Sequence, residues 1–254
     1  MKDIRDALIR IAMFALVFLS WMWVLVQPFS DRVNLTIIVG AVLLVFPVVL
    51  AGRLLLDRDP DPEDAAWLTT MMHALLMVLF GAAIIRALGT YETWRGWLIP
   101  VPAGIGLALL MLTGALAAIT VLNLALRGCG APFGIALSRR LATDWLYAWT
   151  RNPMVLATLA LLVSLGLWFQ SGLFIMWVVL LVVPALLFFV KVFEERELEI
   201  RFGDPYRQYR TQTPMLLPRR PGPRKAAAAK PKPAARISAH KRPAAKSAPK
   251  RRAR

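Results

Sequence analysis

Hydrophobic positions in this chain fall into long, almost unbroken runs. Neither the alternation of a half-buried strand nor the single apolar stripe of a soluble helix describes them. A helix needs about 20 apolar residues to cross the hydrocarbon core of a bilayer. Six stretches meet or approach that length: Leu8 to Gln27, Leu35 to Leu56, Ala66 to Leu88, Ile99 to Leu126, Met154 to Phe169, and Gly172 to Phe193. The fifth is short and crosses only with little tilt or in thinned bilayer. Gln170-Ser171-Gly172 is so tight a break that the last two should form an antiparallel hairpin. The first run is too long for a cleavable signal and lacks a small-x-small site, so it reads as an anchor. The expected fold class is all-α, a multi-span helical membrane protein with short cytoplasmic helices after the sixth span.

Polar residues concentrate at the two ends of that hairpin. On one side stands Arg151-Asn152-Pro153-Met154. Proline suits a first helical turn and Asn152 can cap it. The free N–H groups there suit an anionic group, and Arg151 can snorkel to the interface. On the other side, apolar residues give way to Glu194-Glu195-Arg196-Glu197-Leu198-Glu199. Leu198 and Phe202 are expected to share a face with Glu194 and Glu195. Gly203 fits a helix stop, Asp204 a cap and Pro205 the first turn of a short helix carrying Tyr206 and Tyr209. Pro214 and Pro218 end it. A carboxylate at Glu194, near the bilayer boundary, is costly unless paired or hydrogen-bonded. It can pair with Arg151 or Lys191, or it can receive a ligand's hydroxyl or ammonium group.

Composition agrees with the runs: 58% of the 254 residues are hydrophobic, well above a typical soluble domain. The net charge of +16 is uneven. From Arg219 onward there are 14 Lys and Arg and no acid, which leaves the first 218 residues at only +2. The chain therefore divides into residues 1–127 (four spans), 128–218 (the motif-bearing hairpin) and 219–254, an Ala/Lys/Pro/Arg tail expected to be disordered. The tail suits anionic lipid headgroups better than nucleic acid, because it has no aromatic residue for base stacking. With the amino terminus inside, inside segments carry nine Lys and Arg and outside loops three (Arg32, Arg86 and Arg95). Both termini are then expected to be cytoplasmic, in an inner membrane of bacterial type or its equivalent.

Other residues carry less chemistry. Cys129 is the only cysteine, so no internal disulfide forms, and no histidine is placed to activate it. The acid-rich Asp57-to-Asp64 segment reads as a proline-stiffened connector, and no metal site is expected. His73 is expected to be a neutral, hydrogen-bonded interior residue. Trp21, Trp23, Trp94 and Trp97 are expected to be interfacial anchors.

The segment from Leu141-Ala142-Thr143-Asp144-Trp145-Leu146-Tyr147 to Arg151-Asn152-Pro153-Met154 resembles the first motif of the isoprenylcysteine carboxyl methyltransferase and phospholipid methyltransferase superfamily. Glu194-Glu195-x-x-Leu198-x-x-x-Phe202-Gly203-x-x-Tyr206-x-x-Tyr209 resembles the second, and Thr213-Pro214 to Leu217-Pro218 the usual ending. The resemblance spans about residues 130–218. It implies an integral-membrane methyltransferase that uses S-adenosylmethionine on a lipophilic or membrane-partitioned acceptor bearing a carboxylate, thiol or amine. By motif position, Leu141, Ala142, Tyr147, Asn152, Pro153, Met154 and Glu194 would hold the cofactor. Arg151, Glu195 and Tyr206 would support that shell, and Lys191 would lie toward the substrate. No catalytic residue is implied. The chain departs from the family pattern where Trp145-Leu146 replace Gly-Pro, Val155 replaces Tyr, Ala157 replaces Gly, and Val190 occupies a usually basic position. Two other readings compete: an NADPH-dependent membrane reductase, and a non-catalytic anchor displaying the basic tail.

Overall fold

The computed structural model describes residues 2–90, 98–128 and 140–221. The expectations for Cys129, for Trp94 and Trp97, and for the tail beyond Pro221 lie outside the described residues.

Among the described residues the structure is helical, without strands. Its helices are α1 (Lys2–Val26), α2 (Asp31–Arg58), α3 (Pro62–Gly89) and α4 (Ala103–Asn123), the last prolonged by a π turn over Leu124–Gly128. After them come α5 (Leu146–Trp149), α6 (Pro153–Trp168), α7 (Gly172–Phe202) and α8 (Asp204–Gln212). Five of these, α1 to α4 and α7, are long and apolar enough to cross a membrane. The fifth expected span, α6, is an apolar helix of only 16 residues. The chain is thus an integral membrane protein in which five helices have full spanning length, rather than six.

The acid-rich connector is resolved into specific roles. Asp61 accepts hydrogen bonds from the N–H groups of Glu63 and Asp64, and Pro62 opens α3. Asp57 pairs with Arg53 at 2.6 Å and with Arg196 of α7 at 2.8 Å. The core is built where α2, α3 and α7 meet, around Val42, Val45, Val49, Val178, Val182 and Phe193, all essentially without exposure. A second polar clamp closes the end of α3: Arg86, expected in an outside loop, lies in the last turn of this helix, is buried, and donates to Asn34 Oδ1 at 2.7 Å and to the carbonyls of Val24 and Gln27. Carbonyl and amide oxygens satisfy this buried guanidinium, where an unpaired charge would be costly.

α4 packs directly on α6. A Cβ added at Gly106 would lie 2.5 Å from the backbone N and Cα of Trp168, so the two helix backbones touch there. Small residues permit this approach in membrane helix pairs. Gly106→Ala is expected to destabilise the protein by about 1–3 kcal/mol, because the clash is with backbone and cannot be relieved by a rotamer. Gly114→Ala on the same helix meets only Leu161, at an ordinary 3.8 Å, and should be tolerated. Unfolding of the two variants in an SDS titration, followed by circular dichroism, checks the difference; equal midpoints would contradict the contact.

Candidate functional site

The local backbone explains how the two motifs come to face each other. α5 is one turn, tied to the end of α4 where the Leu146 N–H donates to the buried Asn123 side chain at 3.2 Å. Trp145 precedes it at φ 52°, a left-handed conformation. Trp145 stands where the family pattern has glycine, and Arg127 lies over its ring. α7 ends at Gly203, whose φ of 58° with ψ of −133° strongly favours glycine. Gly203, rather than Asp204, occupies the cap position of α8, and the Asp204 carboxylate instead pairs with Arg207 at 3.1 Å.

The closing segment then folds back over the start of α6. The Arg151 N–H donates to the Pro214 carbonyl at 2.9 Å, and both Thr150 Oγ1 and Asn152 Nδ2 donate to the Met215 carbonyl, at 3.0 and 2.9 Å. Asn152 therefore stands at the cap position without capping α6 through its side chain. The Arg219 N–H continues the strap by donating to Trp149. Tyr209 donates its hydroxyl to the Tyr147 carbonyl at 2.7 Å.

Glu194 and Glu195 do not share a face. A π turn over Val190–Glu194 leads into the last α-helical turns of α7. Glu194, Glu197, Leu198 and Arg201 line an internal cavity of about 480 Å3. Glu195 turns the other way, toward Arg151, with Arg151 Nη1 at 2.8 Å from Oε1 and side-chain exposures of only 9% and 6%. Arg151 also lies 3.5 Å from the Tyr206 hydroxyl. Glu197 is buried and paired with Arg201 at 2.6 Å. Among the described residues Glu194 has no ion-pair partner: neither Arg151 nor Lys191 takes it, since both approach Glu195.

The cavity gathers most of the residues expected from the motifs. Leu141, Ala142, Tyr147, Asn152, Met154, Glu194, Arg151 and Tyr206 all line it. Pro153 is buried in the first turn of α6, and Lys191 lies outside the cavity with two-thirds of its side chain exposed. Burial raises the Tyr147 phenol above its usual range, and the nearby Glu194 carboxylate adds to this. Burial, followed by the Glu195 carboxylate, does the same for Tyr206. Both phenols are therefore neutral hydrogen-bonding groups at physiological pH. Val155 contributes to the wall where the family pattern has tyrosine, whereas Val190 is buried in the core.

The motifs did not announce the rest of the wall. α3 contributes Thr69, His73, Met77, Phe80 and Ile84, spaced by three or four residues along one face. The only advance signal was the Thr69/His73 pair, two polar residues four apart in an apolar helix. His73 is engaged as an interior histidine should be, with Nδ1 2.8 Å from the Thr69 carbonyl and its ring edge-on to Phe189, but it also lines the cavity. Trp21, expected as an interfacial anchor, is part of this wall: its indole N–H donates to the Met77 carbonyl and its ring lies against Gly81, at the apolar end of the cavity.

These features define an integral-membrane helical protein whose internal cavity is charged at one end and apolar along the other. Residues 100–205 match the family model described as phospholipid methyltransferase, a domain of the isoprenylcysteine/phospholipid methyltransferase superfamily. The match covers under half of the chain and leaves α1 to α3 outside it. No curated protein and no solved structure matches.

Proposed function

We propose that the cavity binds S-adenosylmethionine at its charged end and a lipophilic methyl acceptor along its apolar end. The observation that carries this reading is the half-buried Glu194 carboxylate, which lines the cavity without a counter-ion among the described residues. Such a group favours a ligand that brings positive charge. Arg151 lines the same space, and its Nε–H has no hydrogen-bond partner, which suits a ligand carboxylate. A sulfonium–amino-acid ligand offers both charges. Tyr147 and Asn152 add neutral donors and acceptors beside them.

The remaining wall fits a chain-like acceptor. From Thr69 to Ile84 the cavity follows α3 for about 22 Å at 1.5 Å per residue. Beyond the polar end, Leu76, Phe80, Leu161, Leu162, Leu186 and Phe189 keep that space apolar. S-adenosylmethionine supplies an activated methyl group whose sulfur leaves as a neutral thioether. The protein's part is to hold the acceptor's carboxylate, thiol or amine in line with that methyl and to exclude water. A carboxylate acceptor needs no proton removed, and with it Glu194 serves as a binding group; a thiol or amine acceptor would in addition give up its proton.

Isothermal titration of the detergent-solubilised protein tests this directly. S-adenosylmethionine should give saturable heat and NADPH none; the reverse result would favour a reductase, and no heat with either would leave an anchor. A chain ending at Pro221 should bind as tightly as the full chain, because every described lining residue precedes that point.

A further inference from the structure

The helix that gives Glu194 to the cavity presents its other face to a separate basin of about 450 Å3. Arg53, Arg151, Lys191, Arg196 and Arg210 line it, against the carboxylates of Glu195 and Glu199. These cations come from the end of α2, the approach to α6, α7 and α8, so the fold and not a basic run brings them together. Their pairing is incomplete. Arg53 donates to Asp57 and to the Val192 carbonyl, Arg196 to Asp57, and Arg210 pairs with Glu199. With Asp57 counted, five cations still face three acids. Lys191 has its nearest carboxylate, Glu195, at 3.9 Å, and 67% of its side chain is exposed.

Apolar surface leads up to this basin on both helices. On α7 the exposed Leu180 and Pro184 lie on the same helical face as Lys191. On α2, Phe46 and the exposed Leu50 lie seven and three residues before Arg53, on the face that ends in it. The two faces meet where Phe46 contacts Phe188, with ring centroids 5.1 Å apart. The basin therefore stands at the head of a seam between two helices of membrane-spanning length, where their apolar runs give way to charged residues.

We infer that this basin is a seat for an anionic phospholipid, with the headgroup phosphate held by Lys191 and Arg210 and an acyl chain lying along the α2–α7 seam. Basic pockets between membrane helices bind acidic headgroups in this way, through charge at the surface and apolar contact below it. The excess of cations selects a net-negative lipid over a zwitterionic one. The seat is distinct from the acceptor cavity, because the Arg151–Glu195 pair and α7 stand between them. It does not depend on the methyltransferase reading.

Native mass spectrometry of the full chain in detergent, with phosphatidylglycerol or phosphatidylcholine added, tests the seat. The wild type should retain phosphatidylglycerol over phosphatidylcholine by about tenfold, and Lys191→Gln/Arg210→Gln should remove most of that preference. The basic segment beyond Pro221 is present in both proteins, so their difference isolates the basin. Thermal melts with phosphatidylcholine alone show whether the double variant is folded; if it is not, the single variant Lys191→Gln should still lose about threefold. Equal retention of the two lipids by the wild type, or an undiminished preference in the folded variant, overturns the inference. Displacement of phosphatidylglycerol by millimolar inorganic phosphate would make this a free-anion site and overturn the lipid assignment.

Discussion

Glu194→Ala is expected to weaken S-adenosylmethionine binding by about 10- to 150-fold, the equivalent of losing a charged hydrogen bond worth about 1.5–3 kcal/mol. The reason is local. Glu194 is the carboxylate on the cavity side of α7 that no described cation neutralises, whereas the neighbouring Glu197 already holds Arg201. Removing it leaves the folded protein without a broken ion pair, so stability should change little. Glu194→Gln should fall between wild type and alanine, since it keeps an acceptor oxygen and loses the charge. Calorimetric titration with melting controls measures both quantities. Unchanged affinity in a folded Glu194→Ala protein would move the charged end of the ligand elsewhere and remove the main support for the site.

The second large effect concerns stability. Arg151→Met or Glu195→Leu alone should cost about 3–5 kcal/mol, because each leaves an opposite charge buried without its partner. The pair is 2.8 Å apart and almost wholly removed from solvent. The double variant should recover much of the loss, since two apolar side chains of similar size have no charge to desolvate. A double-mutant cycle in SDS-induced unfolding reads this coupling. Additive losses would mean that solvent screens the pair far more than its burial implies.

The spans were legible because membrane helices are written in composition, and the runs from α1 to α4 and in α7 left little freedom. α6 was readable as a helix but is too short to count as a full span by length alone. The split between Glu194 and Glu195 was harder to read. Adjacent acids look equivalent in a sequence, and only the placement of Arg151 under the closing Pro214–Met215 strap decides which one it takes. The cavity's far wall was hidden for a different reason. Trp21, Met77 and Phe80 look like ordinary membrane-helix residues, and nothing local distinguishes a side chain facing a cavity from one facing lipid. Trp145 was opaque for another reason: nothing in its neighbourhood announces a positive φ at so bulky a residue, yet the backbone adopts one there.

α7 addresses two compartments with one short stretch of chain. Lys191, Glu195 and Glu199 belong to one side, and Glu194, Glu197, Leu198 and Arg201 to the other. Each set is defined only by its phase around the helix, at about 100° per residue. This segment is therefore read like a frame. It can absorb many single replacements, each felt on one side only, whereas gain or loss of one residue between Lys191 and Glu194 would turn everything downstream by about 100° and carry both sets off their sides at once.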